Sequence, residues 1–122
     1  MKRLSLLSLL LLSISCATRM MEPPEDLIEE SVFADILYDI ALLKAVHSTS
    51  PATLENQGIL IMPYVLEKYQ IDSVQLLNSN KYYSTLGTTY LALFDSIEAR
   101  LEQKSDLIDS LRRLEDAKPQ RF

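Results

Sequence analysis

The chain has 122 residues, with 12 basic and 17 acidic side chains, one His, one Cys, two Gly and no Trp. This is the length of one domain with a modest core. A net charge of −5 argues against nucleic acid as a partner, and a single His with a single Cys supplies too few ligands for a transition-metal site.

At the start of the chain, Lys2 and Arg3 precede a leucine-rich run from Leu4 to Leu12, followed by Ser13-Ile14-Ser15-Cys16. A charged start and a short apolar run read as a secretory signal. The run is about half the ~20 residues needed to span a bilayer. Ser15 and Ala17 around Cys16 resemble the lipobox of bacterial lipoproteins, with Ser13 standing where that pattern prefers Leu. The resemblance implies cleavage before Cys16 and its acylation with diacylglycerol and a third acyl chain. A lone exported cysteine has no intrachain disulfide partner, which fits a modified thiol. Two or more acyl chains give stable membrane attachment. Loss of residues 1–15 leaves 107 residues, and ten basic against seventeen acidic side chains give about −7. Membrane contact is therefore expected through the lipid rather than a basic patch.

After the signal (1–15), the sequence divides into a lipidated tether (16–24), a helical domain (25–116) and a frayed tail (117–122). Pro23-Pro24 stiffens the tether and delays helix formation. The first helix is expected from about Pro24 or Asp26 to Val46. Glu25, Asp26, Glu29 and Glu30 would lie in its first turns, at the positive end of the dipole. Val32, Phe33, Ile36, Leu37, Ile40 and Leu43 recur at helical spacing, with Asp39 at the border of the stripe, placed to cap or pair with a neighbouring helix. Ser48-Thr49-Ser50-Pro51 is a break, with Ser50 as cap and Pro51 at the first helical position. A second segment reaches Tyr69 and is interrupted at Gly58 and Pro63.

Asp72 and Gln75 have capping-box spacing for a third helix, about Ser73 to Tyr83. That helix is expected to bury Leu76, Leu77 and one or both of Tyr82 and Tyr83. A last helix runs from Leu86–Thr88 to about Glu115. Its residues Phe94, Ile97, Leu101, Lys104, Ile108 and Leu111 form a heptad-like seam with one polar intrusion at Lys104. Asp109 and Arg113 have the spacing of an ion pair. At about 1.5 Å per residue this rod outruns a domain of ~13 Å radius. The sum is an all-α fold, a small bundle of about four helices with a long C-terminal helix.

Catalytic patterns are absent from the sequence. His47 falls at the C-terminal end of the first helix, where a protonated imidazole suits the dipole. Gly58 and Gly87 build no phosphate loop, and there is no nucleophile elbow. Asp35 and Asp39, one turn apart, are the one carboxylate pair with acid–base or divalent-ion potential, and they lack a third ligand. Among the tyrosines, Tyr69, Tyr83 and Tyr90 are expected to pack, whereas Tyr38 and Tyr82 point to other faces as exposed contacts.

Several segments together resemble a known family. Pro24-Glu25-Asp26-Leu27-Ile28 leads to Ile36-Leu37-Tyr38-Asp39, then Val65-Leu66-Glu67-Lys68-Tyr69 with Ile71-Asp72, then Ser79 with Tyr82-Tyr83, then a long last helix. In order and spacing, over residues 23–102, this is similar to the Bacteroidetes-type lipoprotein family called domain of unknown function 4296. That family usually carries Gly after the Lys-Tyr pair and Phe in the third helix; here Gln70 and Leu76 or Leu77 stand instead. The resemblance implies a small helical lipoprotein with no catalytic residue to carry over. Bacteroidetes surface lipoproteins tend to be acidic directly after the lipidated Cys. Ala17-Thr18-Arg19 is not, which points to the periplasmic face of the outer membrane.

The functional expectation is a non-enzymatic envelope lipoprotein, a membrane-tethered protein-binding or scaffold module without cofactor or small-molecule substrate. Its partner would be another envelope protein or the chain itself. Candidate contacts are Ile108, Leu111 and Leu114 at the end of the last helix, with Tyr82 as an outlying one. The alternative is a periplasmic holdase-type chaperone for exported clients.

Overall fold

Phe33 and Ile36, a turn apart on the first helix, are wholly buried and lie at the centre of the core. The computed structural model describes residues 21–117. The expected signal, Cys16 and the tail from Lys118 lie outside the described residues. Within them are five helices: α1 (Glu30–Thr49), α2 (Pro51–Glu55), α3 (Ile61–Tyr69), α4 (Ser73–Ser84) and α5 (Gly87–Asp116). Helix α1 packs against α2, α3 and α5, and α4 packs against α5. The core joins Ile28, Phe33, Ile36, Val65, Tyr83, Leu93 and Ile97, with Phe33 stacked on Tyr83 at 4.8 Å between ring centroids. The all-α expectation holds, with the interrupted second segment divided into α2 and α3.

The first helix starts later than expected, at Glu30 rather than Pro24 or Asp26, and ends at Thr49 rather than Val46. The backbone before Glu30 is committed elsewhere. A helix through Ile28 would turn its N–H to Pro24; instead the Leu27 N–H donates to the Pro24 carbonyl (3.2 Å) and the Ile28 N–H donates to Ser79 Oγ (3.0 Å). The Ile28 carbonyl accepts from the Tyr83 hydroxyl at 2.6 Å, and the Asp26 carbonyl from Gln75 Nε2 at 2.9 Å. Buried peptide groups must be paired, and here α4 supplies the pairing. Of the four expected acidic residues, only Glu30 lies in the first turn, with Glu29 at the cap.

Glycine explains the division of the second segment. At the end of α2, the Ile59 N–H reaches the Leu54 carbonyl and the Gly58 N–H the Glu55 carbonyl, a Schellman ending with Gly58 at φ +65°. Pro51 takes the first position of α2 as expected, but the Ser50 hydroxyl pairs with the Thr53 hydroxyl (2.9 Å) instead of capping the backbone. Pro63 falls in the first turn of α3, where no intrahelical donor is needed, so it does not bend the helix.

Asp72 caps α4 as read, accepting from the Val74 and Gln75 N–H groups at 2.8 Å each. Gln75 does not complete the box, because its side chain is spent on Asp26. Tyr83 is buried and Leu76 and Tyr82 are half-buried, but Leu77 is exposed. The inward row of α4 runs through Leu76, Ser79 and Tyr83 at helical spacing, and Leu77 lies to one side of it.

Helix α5 is 30 residues long, about 45 Å. Leu93 and Ile97 are buried and Leu101 is half-buried. Phe94 remains exposed, edge-on to Tyr90 at 4.8 Å. From Glu102 to Ala117 every residue is exposed.

The end of α3 is a second Schellman ending: the Ile71 N–H bonds to Leu66 and the Gln70 N–H to Glu67, with Gln70 itself left-handed at φ 53°. A side chain there is strained where glycine is not. Gln70→Gly is therefore expected to raise unfolding stability by about 1 kcal/mol in urea titrations. A loss would mean that the bond from Gln70 Nε2 to the Glu67 carbonyl outweighs the backbone strain.

Candidate functional site

The paired carboxylates of α1 face different neighbours. Asp39 Oδ2 accepts from Lys68 Nζ (2.5 Å) and from the Tyr69 hydroxyl (2.8 Å), both on α3. Asp35 Oδ1 accepts from Arg100 Nη1 on α5 at 2.7 Å, and that guanidinium lies over the Tyr38 ring, 4.2 Å from its centroid. Among the described residues these are the only two ion pairs, and no group of three or more His, Cys, Asp or Glu is placed to hold a metal. Asp39 thus plays the pairing role expected of it. The two carboxylates bond to different helices, Asp39 to α3 and the half-exposed Asp35 to α5, instead of converging on a common point.

The clamp on α3 perturbs its donors. Burial and then the bond to Asp39 push the Tyr69 hydroxyl up to about 12. The same carboxylate raises the Lys68 ammonium above its ordinary value, chiefly by hydrogen bonding. Tyr83 is raised by burial beside the acidic start of α1. These shifts favour the protonated donors that hold the fold.

The other titratable and aromatic candidates divide along the same line. His47 is exposed in the last turn of α1. Asp109 and Arg113 do not form the expected ion pair; both are exposed and left to water. Tyr69 and Tyr90 are half-buried with their hydroxyls on Asp39 and Asn80. The expectation that Tyr38 and Tyr82 stand free is corrected. Both are half-buried against the core, Tyr38 beneath Arg100 and Tyr82 edge-on to Tyr83 at 5.4 Å.

Ile108, Leu111 and Leu114 are where a docking surface was expected, on the part of α5 that leaves the body. They are 45%, 52% and 64% exposed, and Leu107, at 51%, joins them. Leu107 was missed because it lies beside the heptad seam, although its spacing to Leu111 and Leu114 marks the same stripe. Closer to the body are two open apolar grooves. One, of about 390 Å³, lies between α1 and α5 and is lined by Leu37, Ile40, Phe94 and Leu101. The other, of about 350 Å³, is lined by Leu37, Met62, Leu76 and Leu77. No described helix is long and apolar enough to cross a membrane.

The fold and these surfaces define a small helical module with clamped carboxylates and one projecting helix end. The chain belongs to the family described as Domain of unknown function (DUF4296), whose model matches residues 24–106, well over half its length. The match takes in Ile28, Ser79 and Tyr83, both carboxylate clamps and the body-bound part of α5; the stripe from Leu107 to Leu114 follows it. No curated protein and no solved structure matches the chain.

Between the ordinary tyrosine value of 10.0 and about 12, the folded state keeps the Tyr69 proton and the unfolded state releases it. Stability contributed by this group is present below pH 10 and is lost as pH rises through that window. In urea titrations, Tyr69→Phe is expected to lose stability less steeply across it than the unaltered chain. Equal slopes would contradict the raised Tyr69 hydroxyl.

Proposed function

We propose that this chain is a non-enzymatic, membrane-tethered module that binds protein through the projecting end of α5. One observation carries the reading: four aliphatic side chains, about half exposed, line the helix beyond Leu101, the last residue of α5 packed against the core of the described residues. Contiguous apolar surface of this kind marks association sites. The engaged carboxylates support the non-enzymatic part, since each already bonds to a structural cation.

The signal-like start and Cys16 support a lipid anchor of the Bacteroidetes lipoprotein type, in the outer membrane and facing the periplasm. A tethered domain works by local concentration, so the helix end needs only modest affinity to hold a protein at the membrane.

The test is crosslinking of the full chain in native membranes, read by mass spectrometry, beside Leu111→Glu and Cys16→Ala. The expected result is one discrete adduct, absent from Leu111→Glu at unchanged melting temperature and reduced in Cys16→Ala. A broad set of exported clients retained in both variants would indicate a holdase and overturn the proposal.

A further inference from the structure

The projecting end of α5 has a symmetry that its apolar character alone does not require. Lys104, Ile108, Leu111 and Glu115 follow one another at steps of four, three and four, the same sequence of steps in either direction. All four are exposed. They share the seam of a heptad pattern, so they line one face of the helix. The outer two carry opposite charges and the inner two are aliphatic.

We infer that the protein bound by this surface is a second copy of the chain, with the two α5 ends running antiparallel. In that register Ile108 lies against Leu111 of the second copy, and Lys104 against Glu115 of the second copy, each contact occurring twice. On the flank, Leu107 lies near Leu114 of the second copy. A parallel pair would instead set Lys104 against Lys104 and Glu115 against Glu115, and like charges in such positions are destabilising. The body reinforces the choice. Packing on the chain's own core stops at Leu101, so antiparallel overlap of the free segments places the two bodies at opposite ends. Parallel overlap would bring them side by side.

Glu102–Asp116 spans about four helical turns. A helix pair of that length buries less than the ~1,200 Å² at which interfaces become stable by themselves. Confinement of both copies to one membrane raises their effective concentration and offsets this shortfall. The inference rests on the reading that the projecting end binds protein, and it names the partner.

The test uses the full chain at high concentration with a zero-length carbodiimide crosslinker. Lys104 and Glu115 of one helix are about 16 Å apart along its axis, beyond the reach of such a bond. A Lys104–Glu115 crosslink is therefore intermolecular, and it is the expected product. Each single reversal, Lys104→Glu or Glu115→Lys, makes two attractive pairs repulsive and is expected to weaken self-association about tenfold in sedimentation. The double variant, or an equimolar mixture of the two single variants, restores it. Absence of the crosslink, or single reversals that associate undiminished, overturns the inference. If that happens while Leu111→Glu still abolishes the membrane adduct, the protein-binding reading stands and only the second copy is excluded.

Discussion

Two side chains of α4 hold both polar atoms of one residue that precedes the first helix. Ser79 Oγ takes the Ile28 N–H and the Tyr83 hydroxyl donates to the Ile28 carbonyl, both inside the core. Ser79 is fully buried and is the one buried polar side chain in the described part of the chain. Leaving either peptide group unpaired would cost about 1–3 kcal/mol, a large share of the 5–15 kcal/mol that stabilises a typical domain. The pairing fixes where α1 begins. It holds the entering segment against α4 and sets Tyr83 where its ring stacks on Phe33. The beginning of the domain and its fourth helix, some fifty residues apart, become one unit.

Helix α1 is then the axis to which the others are attached. Its apolar face supplies Phe33 and Ile36, and its polar border supplies Asp35 and Asp39, which bond to α5 and α3. The two carboxylates thus bond to different helices. Beyond Leu101 the far end of α5 keeps its helical form, and its apolar stripe is about half exposed among the described residues. Within the described residues, the segment before α1 is bonded to α4, whereas the far end of α5 is exposed.

Much of this was legible in the residues. The break at Ser50-Pro51, the Asp72 cap and the extent of α5 follow from local signals whose physics is complete within a few positions. The exposure of Ile108, Leu111 and Leu114 followed from length alone, because the rod is longer than any body this chain can build. The start of α1 was not legible, since Glu25 to Glu30 carry good helix-start chemistry and are overruled by bonds to residues far along the chain. Ser79 carries no core signal in the sequence, because a serine in a helix ordinarily faces water. Gln70 gave a clearer clue. It stands where the resemblance implies Gly, and its backbone is left-handed, a conformation that glycine adopts without strain.

The most direct measurement is amide hydrogen exchange at Ile28 in the native chain. If Ser79 and Tyr83 hold this peptide in the core, the Ile28 amide exchanges as slowly as the inner amides of α4, and Ser79→Ala accelerates it towards the rate of an open segment. An Ile28 amide that exchanges as freely as an unstructured tether in the unaltered protein would contradict the account at its base.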